Sequence, residues 1–330
     1  MRAAQVTSLD GPSAVALAEL PEPAEPSHPQ TPGSGVLVDV HAAGVAFPDV
    51  LLTRGQYQLK VQPPFVPGVE VAGVVRAATP DTGWQPGDRV AAYTGLGGLQ
   101  EVAVAPGFTT FALAERLSFA QGAALVMNYH TVWFALVMRA RLAAGETVLV
   151  HGAAGGVGTA ALQVAKGLGA RTLAVVSSDE KERVAREARA DEVLRSDGAW
   201  RDEAKALTGG EGVGVEIDPV GGDRFLDSLR VLRTDGRLVV VGFTGGAIPE
   251  LRVNRLLLNN VAVVGAAWGT YIATRPEVER EIGAAVSRLV DEGHVAPIVG
   301  ATLPLERAGD ALALLEGRGA VGKVVVALRG

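Results

Sequence analysis

The residues best placed to do chemistry lie in His151-Gly152-Ala153-Ala154-Gly155-Gly156-Val157-Gly158. This run follows a β-branched stretch, Thr147-Val148-Leu149-Val150, and opens a helical pattern from Val157 to Gly169. Ala153, Gly155 and Gly158 fit A-x-G-x-x-G, with alanine standing where the first glycine is usual. A bare Gly155 lets backbone approach a pyrophosphate, and a bare Gly158 lets the helix pack close to its sheet. The free N–H groups and positive dipole at a helix start favour phosphate, so Gly155, Gly156, Val157 and Gly158 are candidate ligands. A purely structural turn would also use glycines, but strand, turn, helix and strand in that order favour a dinucleotide.

The end of the next strand chooses between dinucleotides. An acid there would bind a ribose 2′-hydroxyl and repel a 2′-phosphate. Here Ser177 and Ser178 follow Arg171-Thr172-Leu173-Ala174-Val175-Val176, about 20 residues past the last glycine, and Lys181 lies within a turn. Two hydroxyls and an ammonium suit a phosphate and predict NADPH. The serines also suit a helix cap before Asp179, a role compatible with phosphate binding. Asp179 and Glu180 argue the other way if the strand ends one residue later.

These residues need a parallel sheet to hold them. From residue 147 onward, near-continuous β-branched strands alternate with helical patterns through Val261-Ala262-Val263-Val264-Gly265, the mark of a sheet covered on both faces. Residues 120–140 also have helical spacing. Residues 1–120 read instead as short strands broken by turns, such as Val36 to Val40 and Gly68 to Val75. The closing strand, Gly322 to Val326, is expected to return to that first part. The predicted organisation is α/β: a β-rich domain over 1–124 and 267–330, and a doubly wound parallel-sheet domain over 125–266.

Composition narrows the function classes. A chain of 330 residues with 48% apolar and 20% charged residues is long enough for two packed cores. A net charge of −6 gives no general attraction to nucleic acid or to an anionic membrane. There is no cysteine, so thiolate metal sites and cysteine nucleophiles are excluded. The five histidines show no metal-ligand spacing and no G-x-S-x-G occurs, so no metal site and no hydrolase are expected. No apolar stretch is long enough for a transmembrane helix and no signal peptide is evident, so a cytoplasmic protein is expected.

Seven segments in order resemble the zinc-independent, zeta-crystallin-like quinone oxidoreductases of the medium-chain dehydrogenase/reductase superfamily. They are Gly44 to Leu51, Pro67 to Gly73, Pro86 to Val90, His151 to Gly158, Asp218 to Gly222, Gly236 to Phe243 and Gly322 to Val325. The resemblance implies a GroES-like substrate domain, a Rossmann domain, an active-site cleft between them, and a homodimer paired through the strand at 261–266. It implies that Tyr57, in Arg54-Gly55-Gln56-Tyr57, orients or protonates substrate, or packs as a wall beside the nicotinamide. It places Asn128 and Thr131 by the nicotinamide, Thr131 also as a catalytic candidate. Val220, Phe243, Thr244 and Lys323 are expected near the cofactor. Ala46 stands where the family usually has asparagine, and Ser196 where it often has tyrosine. With Ser196 at that place, Arg195 becomes a further candidate for the 2′-phosphate. The zinc dehydrogenases of the superfamily use cysteines and a Gly-His-Glu segment, which here is Gly68-Val69-Glu70.

The expected activity is hydride transfer from NADPH to a quinone without zinc. An enoyl or enone reductase is the alternative. An NADPH-binding structural or RNA-binding crystallin-like protein is the alternative of another class, and the acidic net charge argues against RNA. The expected partner is a small quinone or enone.

Overall fold

The computed structural model describes residues 1–329. The chain divides into two compact units, Met1–Met127 with Pro297–Gly330, and Asn128–Ala296.

The first unit is built on antiparallel pairing. β1 (Arg2–Val6) pairs with β2 (Val15–Glu19). β3 (Val36–Val45), β4 (Glu70–Ala78) and β5 (Arg89–Tyr93) are successive neighbours, with β6 (Val102–Ala105) on β3 and β7 (Thr110–Ala112) on β5. Valines and alanines dominate β3 and β4 because both are largely buried, not half-solvated. The core gathers Val40, Ala43, Val45, Val50, Val71, Leu99 and Leu312 among others.

The second unit carries the parallel sheet. β8 (Thr147–His151), β9 (Arg171–Val176), β10 (Glu192–Arg195), β11 (Val213–Asp218), β12 (Leu232–Val240) and β13 (Ala262–Gly265) all pair in parallel. Their order is β10-β9-β8-β11-β12-β13. Counted within this unit that is 3-2-1-4-5-6, the dinucleotide-binding order, with the reversal between β8 and β11. Ligands of such sheets bind beyond the carboxyl ends of the strands at that reversal. The helix Gly156–Gly167 leaves β8, and every residue from Gly158 to Ala165 is buried.

β14 (Val299–Pro304) and β15 (Lys323–Ala327) then rejoin the first unit, β15 pairing antiparallel with β3. The return falls at Ala296/Pro297 and not at 266/267. The physical reason is that residues 268–296 pack on the rest of the second unit: Trp268, Tyr271 and Glu279 meet His130 or Phe134, and Leu289 to Ala296 meet the helix Gly156–Gly167. Gln163 binds both the N–H and the C=O of Ala296, at 3.0 and 2.9 Å, and Leu289 lies against Gly167.

Residues 120–140 do not form one regular helix. π-helical turns Val126–His130 and Phe134–Arg139 flank a single α-turn, Thr131–Trp133. Such widened turns are uncommon and concentrate at functional sites.

Candidate functional site

The glycine turn is explained by close approaches. A Cβ on Gly158 would come within 2.2 Å of the Gly152 carbonyl oxygen, and one on Gly156 within 2.5 Å of Asn128 Nδ2. Gly155 differs. Its φ is −83°, and a Cβ there would meet nothing nearer than Gly152 O at 3.4 Å. The protein's own packing does not demand glycine at 155, so the bare position leaves a cradle at the helix start that fits a pyrophosphate.

Two further turns stand beside it. Asp218 closes β11 and its Oδ1 accepts the N–H groups of Val220 and Gly221 at 2.8 and 2.9 Å. Thr244 donates both its N–H and its hydroxyl to Pro219 O at 3.0 Å. Val220 borders Gly152, and Phe243 borders Gly221. The structure therefore gathers Val220, Phe243 and Thr244 at the carboxyl ends of β11 and β12, with Asn128 against the glycine turn. Thr131 is buried in the next turn of chain.

A second cluster sits past the ends of β9 and β10. Ser178 caps the helix Asp179–Glu187 by accepting the Lys181 N–H at 3.3 Å. Lys181 Nζ reaches Ser177 Oγ at 3.2 Å. Arg195 donates from Nη1 to Asp179 at 2.6 Å and from Nη2 to Ser177 O at 3.1 Å. Its Nε is buried without a hydrogen bond, the Asp197 carboxylate standing off at 3.6 Å. The Ser196 N–H joins Val176 O at 2.8 Å. The acid that argued for a 2′-hydroxyl, Asp179, is engaged by a guanidinium.

In the first unit, Tyr57 is half-buried against Val6, Leu52 and Phe65. Burial, reinforced by the Asp49 carboxylate, pushes its phenol above the usual value. Asp49 is fully buried and accepts the N–H groups of Ala46 and Gly68 at 2.9 and 2.8 Å. Burial outweighs those bonds and pushes Asp49 up to about 6. Glu70, also fully buried, accepts the Met127 N–H at 2.9 Å and pairs with the Lys323 ammonium.

The sequence reading named neither Asp49 nor Glu70 as a functional charge. A signal existed: Glu70 interrupts the apolar run Val69-Glu70-Val71, and Asp49 is the third residue after the helix start at Ala46.

Two family profiles match the chain: "Alcohol dehydrogenase GroES-like domain" over residues 32–115 and "Zinc-binding dehydrogenase" over residues 156–285. The Quinone oxidoreductase-like protein 2 of Bos taurus is 39% identical over 298 residues, covering 89% of this chain and 85% of its own. This chain belongs to the quinone oxidoreductase-like proteins of the medium-chain dehydrogenase/reductase superfamily. The Rattus norvegicus quinone oxidoreductase is 33% identical over 333 residues, covering 99% of this chain and 98% of its own. The quinone oxidoreductase of Thermus thermophilus, solved also in complex with NADPH, superposes with a TM-score of 0.83 at 34% identity, covering 99% of this chain and 100% of that one.

For a quinone oxidoreductase-like protein, the name of the second profile raises the question of zinc. The residues present do not fit a zinc ion. Val69 offers no donor, Glu70 is taken by Met127 and Lys323, and the chain has no cysteine. Family membership makes the protein an oxidoreductase binding a nicotinamide cofactor. No helix among the described residues is long and apolar enough to cross a membrane.

Proposed function

We propose that the protein transfers hydride from NADPH to a quinone without a metal ion. The observation that carries the cofactor choice is the cluster of Ser177, Lys181 and Arg195, whose cations and hydroxyl suit a 2′-phosphate. Ser178 and Ser196 are assigned to the rim of that site. Bound NADPH would supply the hydride. Gly155, Gly156, Val157 and Gly158 hold the pyrophosphate by backbone N–H groups and the helix dipole. Asn128 and Thr131 orient the nicotinamide, and Val220, Phe243 and Thr244 line its path. Fixing donor against acceptor and excluding water is the protein's contribution.

Tyr57 favours a second reading as an enone reductase. A phenol is protonated at neutral pH and can donate to the α-carbon, although the burial that pushes its pKa up makes it a weaker acid. One assay separates the readings: oxidation of NADPH and NADH with 1,4-benzoquinone, a naphthoquinone and an enoyl-CoA, with and without chelator. Quinone-dependent NADPH loss indifferent to chelator is expected, with Tyr57→Phe nearly as active. Activity confined to the enoyl-CoA and lost in Tyr57→Phe would replace the quinone reading.

The working unit we propose is a homodimer joined through β13. That strand is the sheet edge, and the preceding helix Asn254–Asn259 leaves Leu257 76% and Leu258 73% exposed. A strand with one open edge, following a helix with exposed leucines, is a surface suited to self-association. Light scattering is expected to give twice the monomer mass, and Leu257→Asp with Leu258→Asp the monomer. A monomeric wild type would remove this part of the proposal.

A further inference from the structure

The helix Glu277–Asp291 buries Ile282, Val286, Leu289 and Val290, as an amphipathic helix should, but it also buries an acid. Glu279 is fully buried. Its Oε1 lies 2.5 Å from His130 Nδ1, and its Oε2 accepts the Trp268 Nε1–H at 2.9 Å. The Trp268 ring stands edge-on to the imidazole, centroids 6.0 Å apart. Burying a carboxylate is costly unless it is hydrogen-bonded, and here both oxygens are engaged. An acid in the first turn suits the helix dipole, but that role is met equally well by an exposed acid such as Glu277 and does not call for burial.

The bonds lead to the glycine turn. His130 closes the π-turn Val126–His130, a rare widened turn of the kind that concentrates at functional sites. Two residues earlier in the same turn is Asn128, against Gly156, and the next residue is Thr131. A return to α-helical register would rotate His130 relative to Glu279, and the bond between them opposes that rotation. We propose that Glu279 is a positioning residue for hydride transfer, holding Asn128 and Thr131 in place through His130, with Trp268 fixing the carboxylate. This rests on the reading of Asn128 and Thr131 as nicotinamide neighbours.

The test compares wild type with Glu279→Gln, which keeps the volume and removes the charge, and with Trp268→Phe, which removes the N–H donor together with part of a buried ring. The readouts are NADPH affinity, the emission of bound NADPH without acceptor, single-turnover quinone reduction with its primary deuterium isotope effect, and thermal unfolding. A misaligned donor costs rate more than binding, so Glu279→Gln should slow hydride transfer about tenfold or more, raise the isotope effect, and keep NADPH Kd within about threefold. Trp268→Phe should do the same more weakly, and it carries the test if Glu279→Gln does not fold. Unchanged rate and isotope effect beside a lowered Tm would make Glu279 a core residue only and overturn the proposal. If wild type reduces no quinone, the functional reading fails separately. The emission of bound NADPH then decides: a shift in Glu279→Gln supports the positioning role, and wild-type emission overturns it.

Discussion

Arg195→Ala should raise the Kd for NADPH by about 10- to 100-fold and leave that for NADH within about threefold, since a charge-assisted hydrogen bond is worth about 1.5–3 kcal/mol. Arg195 spans the end of β9 to the helix after it, touching Ser177 O and Asp179. The Asp179 side chain is 96% exposed, so its carboxylate can swing into water when a phosphate takes the guanidinium. The buried Nε, without a hydrogen bond, offers a further donor. Asp179→Asn should act in the opposite direction and tighten NADPH, because it removes a competitor for the same cation. Parallel fluorescence titrations with both dinucleotides check this. Equal losses for NADPH and NADH in Arg195→Ala would show that the residue shapes the strand end without reading the 2′-phosphate.

The second large effect is on stability. Lys323→Met is expected to destabilise the protein by about 3–5 kcal/mol, because it leaves the Glu70 carboxylate buried without its counter-ion. Glu70→Gln should cost a comparable amount by stranding the ammonium, while its amide oxygen can still accept the Met127 N–H. The double variant Glu70→Gln/Lys323→Met should recover most of the loss, since no uncompensated charge remains. Urea unfolding of the four proteins measures the coupling. The same set separates this role from the cofactor role that the family resemblance suggests for Lys323. If Lys323→Met unfolds at the wild-type urea concentration but binds NADPH weakly, the ammonium serves the dinucleotide and not Glu70.

Local pattern carried much of the architecture. β8, β9, β11, β12 and β13 were legible because each carries a short apolar run bounded by turn residues, whereas β10, Glu192-Val193-Leu194-Arg195, has only two apolar residues between charges and was not. The glycine turn was legible because Gly158 meets backbone and Gly156 meets the Asn128 side chain too closely for a Cβ. Ser178 as a cap was legible for the same local reason. Long-range pairings were not. Lys323 and Glu70 are 253 residues apart, and His130 and Glu279 are 149 apart. An acid at the start of an amphipathic helix, as Glu279 is, reads as a solvated or dipole-compensating residue until the fold shows that it is buried. The π-turns escaped as well, since apolar spacing at 120–140 suits an ordinary helix and only the hydrogen bonding reveals the widened register.

The pairing of β15 with β3 has a consequence for biosynthesis. β3 ends at Val45, but its neighbour begins at Lys323, so ribosomes working at about 5–20 residues per second leave that flank bare for tens of seconds. The parallel-sheet unit, complete by Ala296, leaves the exit tunnel before its older neighbour can finish. Throughout that interval the nascent Glu70 carboxylate waits for Lys323, the residue that opens the completing strand. The amino-terminal unit is thus the last to become native, and a chaperone that shields the bare β3 edge would act on this half of the chain.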